Sequence, residues 1–280
     1  MISRLSPAKV NLNLRVLGKR PDGFHDISTL MQRISLYDEM IFSPTAHGIT
    51  LSCPGSSIPE NSNNIVYRAA DALLSRLSHS PGIHITIKKK IPVAAGLGGG
   101  SSNAATALVT INDLMDFHYN TDDLMKIGTK LGADVPFFIF GKTAWASGIG
   151  DQLRTAENIP PLWFVLINPG FEISTKMVYD NLNLRLTKPV LNYKCPIVYT
   201  VDDIVKGLHN DLERVTLVLH PILRYFKNIL VQNGALGALM SGSGPTVMGI
   251  FTDEEGAIKA EKALENAGGN EWSVFRASSI

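Results

Sequence analysis

The chain has 280 residues, 45% of them hydrophobic and 18% charged, and a formal net charge of +1. This describes a soluble globular protein with a substantial core, and a balance so close to neutral excludes a strongly basic nucleic-acid or membrane-surface binder. The longest apolar run, 162–167, is far too short to span a bilayer, no N-terminal segment resembles a signal peptide, and Cys53 and Cys195 stand in no metal-ligand spacing; the expectation is a cytoplasmic protein with reduced thiols.

In chain order, Val10, Leu12, Leu14 and Val16 alternate with Lys9, Asn11, Asn13 and Arg15. Period two predicts a strand with one buried and one polar face, so Lys9 and Asn11 project side by side. A turn over 19–26 follows, with Pro21 and Gly23 at turn-compatible places and Phe24 next to His25. Short strands are expected over 39–42 and 49–53. The polar cluster 61–64 suits a helix cap, and apolar residues at 65, 66, 69, 70, 73, 74 and 77 fit one helical face. A strand over 83–91 includes Lys88-Lys89-Lys90, whose plain reading is a solvated strand end.

The next stretch is Pro92-Val93-Ala94-Ala95-Gly96-Leu97-Gly98-Gly99-Gly100-Ser101-Ser102-Asn103, between that strand and a helix-like run over 104–115. Glycines let the backbone take positive φ and approach a ligand without Cβ clashes. A helix starting at Gly100 or Ser101 aims free N–H groups and a positive dipole end at the loop, a setting for phosphate. The P-loop pattern fails because no Lys follows the glycines, and the dinucleotide fingerprint fails because Ser101 stands where its third Gly belongs.

Thr121 with Asp122 and Asp123 reads as the capped, acidic start of a helix to about Leu131, ended by Gly132-Ala133-Asp134-Val135-Pro136. Strands over 143–147 and 162–167 bracket Pro160-Pro161, which suggests domains 1–157 and 158–280. Beyond lie a short helix over 174–182, an unreadable Pro-containing piece over 187–200, and helices over 202–208, 211–219 and 221–233. A second glycine turn, Ser241-Gly242-Ser243-Gly244-Pro245-Thr246, sits between β-like runs, and a helix over 253–267 and a strand over 272–276 complete the chain. Strands and helices mix without regular alternation, so the expected class is α+β in two domains.

Three motifs, S-P-A-K-V-N from Ser6, P-x-x-x-G-L-G-x-G-S-S from Pro92 and G-S-G-P-T from Gly242, stand in the order found in the GHMP small-molecule kinases, and the resemblance spans essentially the full length. It implies a two-domain α+β fold with the active site in the inter-domain cleft. K-R-P-D-G-F-H from Lys19 and G-A-D-V-P-F-F from Gly132 resemble one branch in particular. That branch phosphorylates the 2-hydroxyl of a cytidine-diphosphate-linked methylerythritol at the expense of ATP, in the non-mevalonate isoprenoid route.

By the same resemblance, Asp134 and Lys9 are the catalytic pair, and 92–102 holds ATP, with Asn64 and Lys89 near the adenosine. Phe24 and Tyr179 stack on cytosine, with the two aromatic types exchanged relative to other members. His25 reads the cytosine edge, and Asn11 and Thr175 contact the sugar alcohol or diphosphate. Mg²⁺ bridging the ATP phosphates is expected, with no dedicated carboxylate ligand and Ser102 as a hydroxyl neighbour. The partners implied are a small-molecule substrate, no nucleic acid and no membrane, in a monomer or homodimer. The competing readings are a related kinase acting on another alcohol, a catalytically silent nucleotide-binding regulator, and an RNA-binding module, which the near-zero charge disfavours.

Overall fold

The computed structural model describes residues 1–76, 81–182 and 200–280. Leu77 at the end of the helical stripe, Cys195 and nearly all of the unreadable piece over 187–200 lie outside the described residues. The chain forms two compact units. One comprises Met1–Ala8, Tyr37–Ile91 and Gly98–Gly141; the other comprises Lys9–Leu36, Pro92–Leu97 and Lys142–Ile280. Both units draw on the N-terminal half of the chain. The cause lies in two long strands, β1 (Ile2–Lys19) and β2 (His25–Thr45), each of which supplies residues to both units.

In the first unit, residues 39–45 of β2 pair antiparallel with β4 (Gly82–Lys88), which pairs parallel with β3 (Ile49–Ser52). Helices α1 (Ile65–Leu74), α2 (Gly99–Leu114), α3 (Thr121–Leu131) and α4 (Val135–Phe140) pack together. α1 buries Val66, Ala69, Ala70, Leu73 and Leu74, as the stripe required. Its cap is Asn64, whose Oδ1 accepts from Val66 N at 2.9 Å, and α3 is capped by Asn120 rather than Thr121. The isolated strand expected over 39–42 is part of the 21-residue β2.

In the second unit, β5 (Ala144–Ser147) pairs with residues 29–31 of β2 and with β6 (Gln152–Thr155). A two-residue strand, β8 (His209–Asn210), runs parallel to residues 13–14 of β1. A four-stranded antiparallel sheet has the order β11 (Ser273–Ser278), β7 (Trp163–Asn168), β10 (Val247–Phe251), β9 (Gly237–Met240). Helices α8 (Ile222–Gln232) and α9 (Glu254–Gly268) pack on that sheet, and α5 (Thr175–Asp180), α6 (Val201–Gly207) and α7 (Glu213–Leu219) complete the unit. Its core joins Leu14, Val16 and Ile27 from the N-terminal strands to Val165, Ile167, Phe226, Leu230 and Val247. Among the described residues no helix is long and apolar enough to cross a membrane.

Candidate active site

The glycine stretch does what its composition demanded. α2 begins at Gly99, and its N-cap Gly98 takes the left-handed conformation at φ 70°, which is costly for any residue with a Cβ. The N–H groups of the first turn have no carbonyl behind them in the helix, so this end is a ready anion cradle. The helix starts one residue before Gly100, the earlier of the two expected starts.

The segment 92–97 belongs to the second unit and is braced there. Lys9 N donates to Leu97 O at 2.9 Å, Ser241 Oγ to Gly96 O at 2.9 Å, and Thr246 N to Ala95 O at 3.3 Å. A Cβ on Gly96 would stand 2.1 Å from Ser241 O, so the second glycine-rich turn presses directly on the first half of the loop. That turn is held from below by Asn210, whose Nδ2 donates to Met240 O at 2.8 Å and Gly242 O at 2.7 Å while its Oδ1 accepts from Leu212 N. Sequence reasoning took this region only for the start of a helix at 211. The density of polar groups in His209-Asn210-Asp211 was the available signal.

Lys9 and Asn11 lie side by side as the alternation predicted, and Lys9 Nζ donates to Asn11 Oδ1 at 2.6 Å. Asn11 Nδ2 passes the chain on to Thr29 Oγ1 at 2.8 Å. The face is not solvated: Lys9 is 4% exposed and Asn11 3%. Burying an ammonium costs several kcal/mol unless it is hydrogen-bonded, and a site that needs a fixed positive charge justifies that cost.

Asp134 is the N-cap residue of α4 by position, in a turn closed by Val135 N donating to Gly132 O at 3.1 Å. Its carboxylate makes no capping bond to that helix. The structural role that would most simply explain an Asp here is therefore not the one it plays.

The aromatic residues divide. His25 is buried and stacks on Tyr179, with ring centroids 4.9 Å apart, whereas Phe24 is 57% exposed on the turn beside them. Burial and the neighbouring Lys19 ammonium hold the His25 imidazole below its ordinary value, against a smaller upward pull from Asp180. Thr175 Oγ1 lies 2.9 Å from Ser243 Oγ of the second glycine turn. Asn64 and Lys89 are occupied: Asn64 caps α1 and donates from Nδ2 to Pro59 O at 2.7 Å, and Lys89 forms an ion pair with the fully buried Asp38. Lys89 is thus not part of a solvated strand end. Ser102 is also fully buried, and its Oγ accepts from Ser6 Oγ at 2.8 Å.

Residues 64–142 match the model of the GHMP kinases N terminal domain and 200–270 that of the GHMP kinases C terminal domain. A homoserine kinase from Cytophaga hutchinsonii shares the fold at 19% identity, covering 100% of this chain and 94% of that one with a TM-score of 0.74. The fold and the glycine loop define a small-molecule kinase of the GHMP class.

Within that class, a 4-diphosphocytidyl-2-C-methyl-D-erythritol kinase from Syntrophus aciditrophicus is 56% identical over 280 residues, all of both chains. One from Syntrophotalea carbinolica is 49% identical over 98% of each. A crystal structure of a 4-(cytidine 5'-diphospho)-2C-methyl-D-erythritol kinase superposes with a TM-score of 0.85 at 32% identity, covering 99% of each chain. This chain belongs to the 4-diphosphocytidyl-2-C-methyl-D-erythritol kinase family.

Proposed function

We propose that the chain transfers the γ-phosphoryl group of ATP to the 2-hydroxyl of 4-diphosphocytidyl-2-C-methyl-D-erythritol, giving the 2-phosphate and ADP for isoprenoid precursor synthesis. The observation that carries this reading is the 56% identity, over the whole length of both chains, with a kinase of that name. In the reaction, the 2-hydroxyl oxygen bonds to the γ-phosphorus, the bond to the bridging oxygen breaks, and ADP leaves. The hydroxyl proton goes to the Asp134 carboxylate. The Lys9 ammonium, oriented by Asn11, offsets charge on the transferring phosphoryl. The residues 92–102 receive the ATP phosphates, and the open N–H groups at the start of α2 support that role.

Phe24, His25 and Tyr179 form the cytidine pocket, and the His25–Tyr179 stack supports it. His25 is neutral near pH 7, so its ring carries both a donor and an acceptor for a base edge. Asn11 and Thr175 face the sugar alcohol and diphosphate, while Asn64 shapes the adenosine side through α1 rather than by a side-chain bond of its own. Mg²⁺ travels with ATP and, when bound, neutralises phosphate charge. Ser102, buried and bonded to Ser6, does not suit a metal ligand. The enzyme works in the cytoplasm as a monomer or homodimer.

The test is ADP release with ATP and a panel of alcohols. Turnover of the cytidylyl substrate, with free methylerythritol phosphate, homoserine and mevalonate left unphosphorylated, is the expected result. Preference for one of the others would transfer the chain to a different substrate.

A further inference from the structure

Asp38 has no accessible surface, and among the described residues its side-chain hydrogen bonds run to Lys89, Lys90, Ile91 and Asn103, on the segments that frame the start of α2. Its Oδ1 accepts from Lys90 N at 2.8 Å and Ile91 N at 2.9 Å, the last residues before the glycine stretch. Its Oδ2 accepts from Asn103 Nδ2 at 3.0 Å, in the first turns of α2, and from the Lys89 ammonium. Asn103 Nδ2 also donates to Ser6 Oγ at 2.9 Å, which donates to Ser102 Oγ. One carboxylate thereby ties the end of β4, the beginning of β1 and the first turns of α2.

The location of the ammonium gives this network its meaning. A Cβ built on Gly99 would lie 3.1 Å from Lys89 Nζ, so the cation sits against the first residue of the helix. A positive charge there opposes the positive end of the helix dipole, which favours anions. The buried Asp38 carboxylate requires a countercharge, and the cation that supplies it also stands where a phosphate at the start of α2 would meet it.

We propose that Asp38 is a positioning residue for ATP: it holds the Lys89 ammonium and the first turn of α2 in register as one phosphate-receiving surface, without touching the nucleotide. The proposal rests on the reading of residues 98–102 as part of the phosphate loop. Asp38→Asn retains the shape and removes the charge, Lys89→Met removes the partner, and the double variant removes both. Deleting one member of a buried pair leaves an uncompensated charge and destabilises, whereas deleting both relieves that penalty. Melting temperature and ATP KM should therefore separate.

The experiment measures Tm, kcat and both KM values for the three variants and for Gly98→Val. In Asp38→Asn and in Lys89→Met, ATP KM should rise roughly tenfold or more, the scale of one charge-assisted contact. The KM for the cytidylyl substrate should stay within about twofold of wild type, since uncoupled sites do not exchange free energy. In the double variant Tm should return towards wild type while ATP KM stays high. If ATP KM recovers together with Tm, the pair is purely structural and the proposal fails. A normal ATP KM in Asp38→Asn alongside lost affinity in Gly98→Val overturns the proposal alone, and a normal ATP KM in Gly98→Val overturns the loop reading with it. Should Asp38→Asn not fold, the double variant decides: a raised ATP KM supports the assignment and a normal one removes it.

Discussion

At the scale of single residues, Asp134 and His25 carry the clearest chemical commitments. Asp134→Asn conserves the shape of the side chain and removes the carboxylate proposed to take the hydroxyl proton. The expected outcome is a kcat lowered about 10²-fold or more with little change in ATP KM, read by steady-state ADP release. Lys9→Ala should also lower kcat, and the double variant should lose less than the product of the two, because groups acting as a unit are not additive. His25 makes a pH prediction. Its conjugate acid is weakened on folding, so a proton binds the unfolded chain more readily than the folded one. The stability it contributes is complete above the ordinary value of 6.5 and is lost as pH falls from there through the lower folded value. The KM for the cytidylyl substrate should accordingly stay flat from pH 8 to 6.5 and rise only on further acidification. That rise should vanish in His25→Gln, and a wild-type profile breaking at or above 6.5 would count against the neutral imidazole.

At the scale of elements, the two glycine turns make a matched prediction. Gly98→Val puts a β-branched side chain at φ 70° directly before α2 and should weaken ATP binding strongly in a folded protein, as measured by equilibrium titration. Gly96→Ala should act through the fold instead. At φ 77° its Cβ meets Ser241 O, so the second turn must shift and the melting temperature should fall, with a cost of about 1–2 kcal/mol from the left-handed backbone alone.

These turns were also the most legible part of the sequence, because a glycine run before a helix has few physical meanings. The alternation in β1 gave the adjacency of Lys9 and Asn11, but not the burial of the face they share. Periodicity reports which residues share a face and is silent on what covers it. β2 was read as a fragment because Arg33, Ser35 and Asp38 interrupt the apolar pattern before residue 39. Asp38 escaped notice because its main partners, Lys89 to Ile91 and Asn103, lie more than fifty residues away along the chain. Very short strands such as β8, two residues long, leave no period to find.

At the scale of the whole molecule, the division into units predicts how the chain responds to cutting. A fragment of residues 158–280 lacks Leu14, Val16 and Ile27, which belong to the core of the second unit. It also lacks residues 13 and 14, the partners of β8. That fragment should show no cooperative thermal transition and poor amide dispersion by NMR, even though it contains the complete match to the C-terminal family model. A cooperative melt would show that the N-terminal strands are dispensable to that core.

The same division sets a timetable for synthesis. Every residue of the first unit has been made once Gly141 leaves the ribosome, so that unit can close early. The strand segments 9–36 cannot do so, because their core partners and the last strand, β11, are still to come. At about 5–20 residues per second, the roughly 240 residues still unmade after position 36 hold those segments waiting for on the order of 10–50 s. Through that interval the growing chain displays Leu14, Val16 and Ile27 before their core is complete. The surface later buried in the core of the second unit is thus the one a chaperone has the longest time to meet.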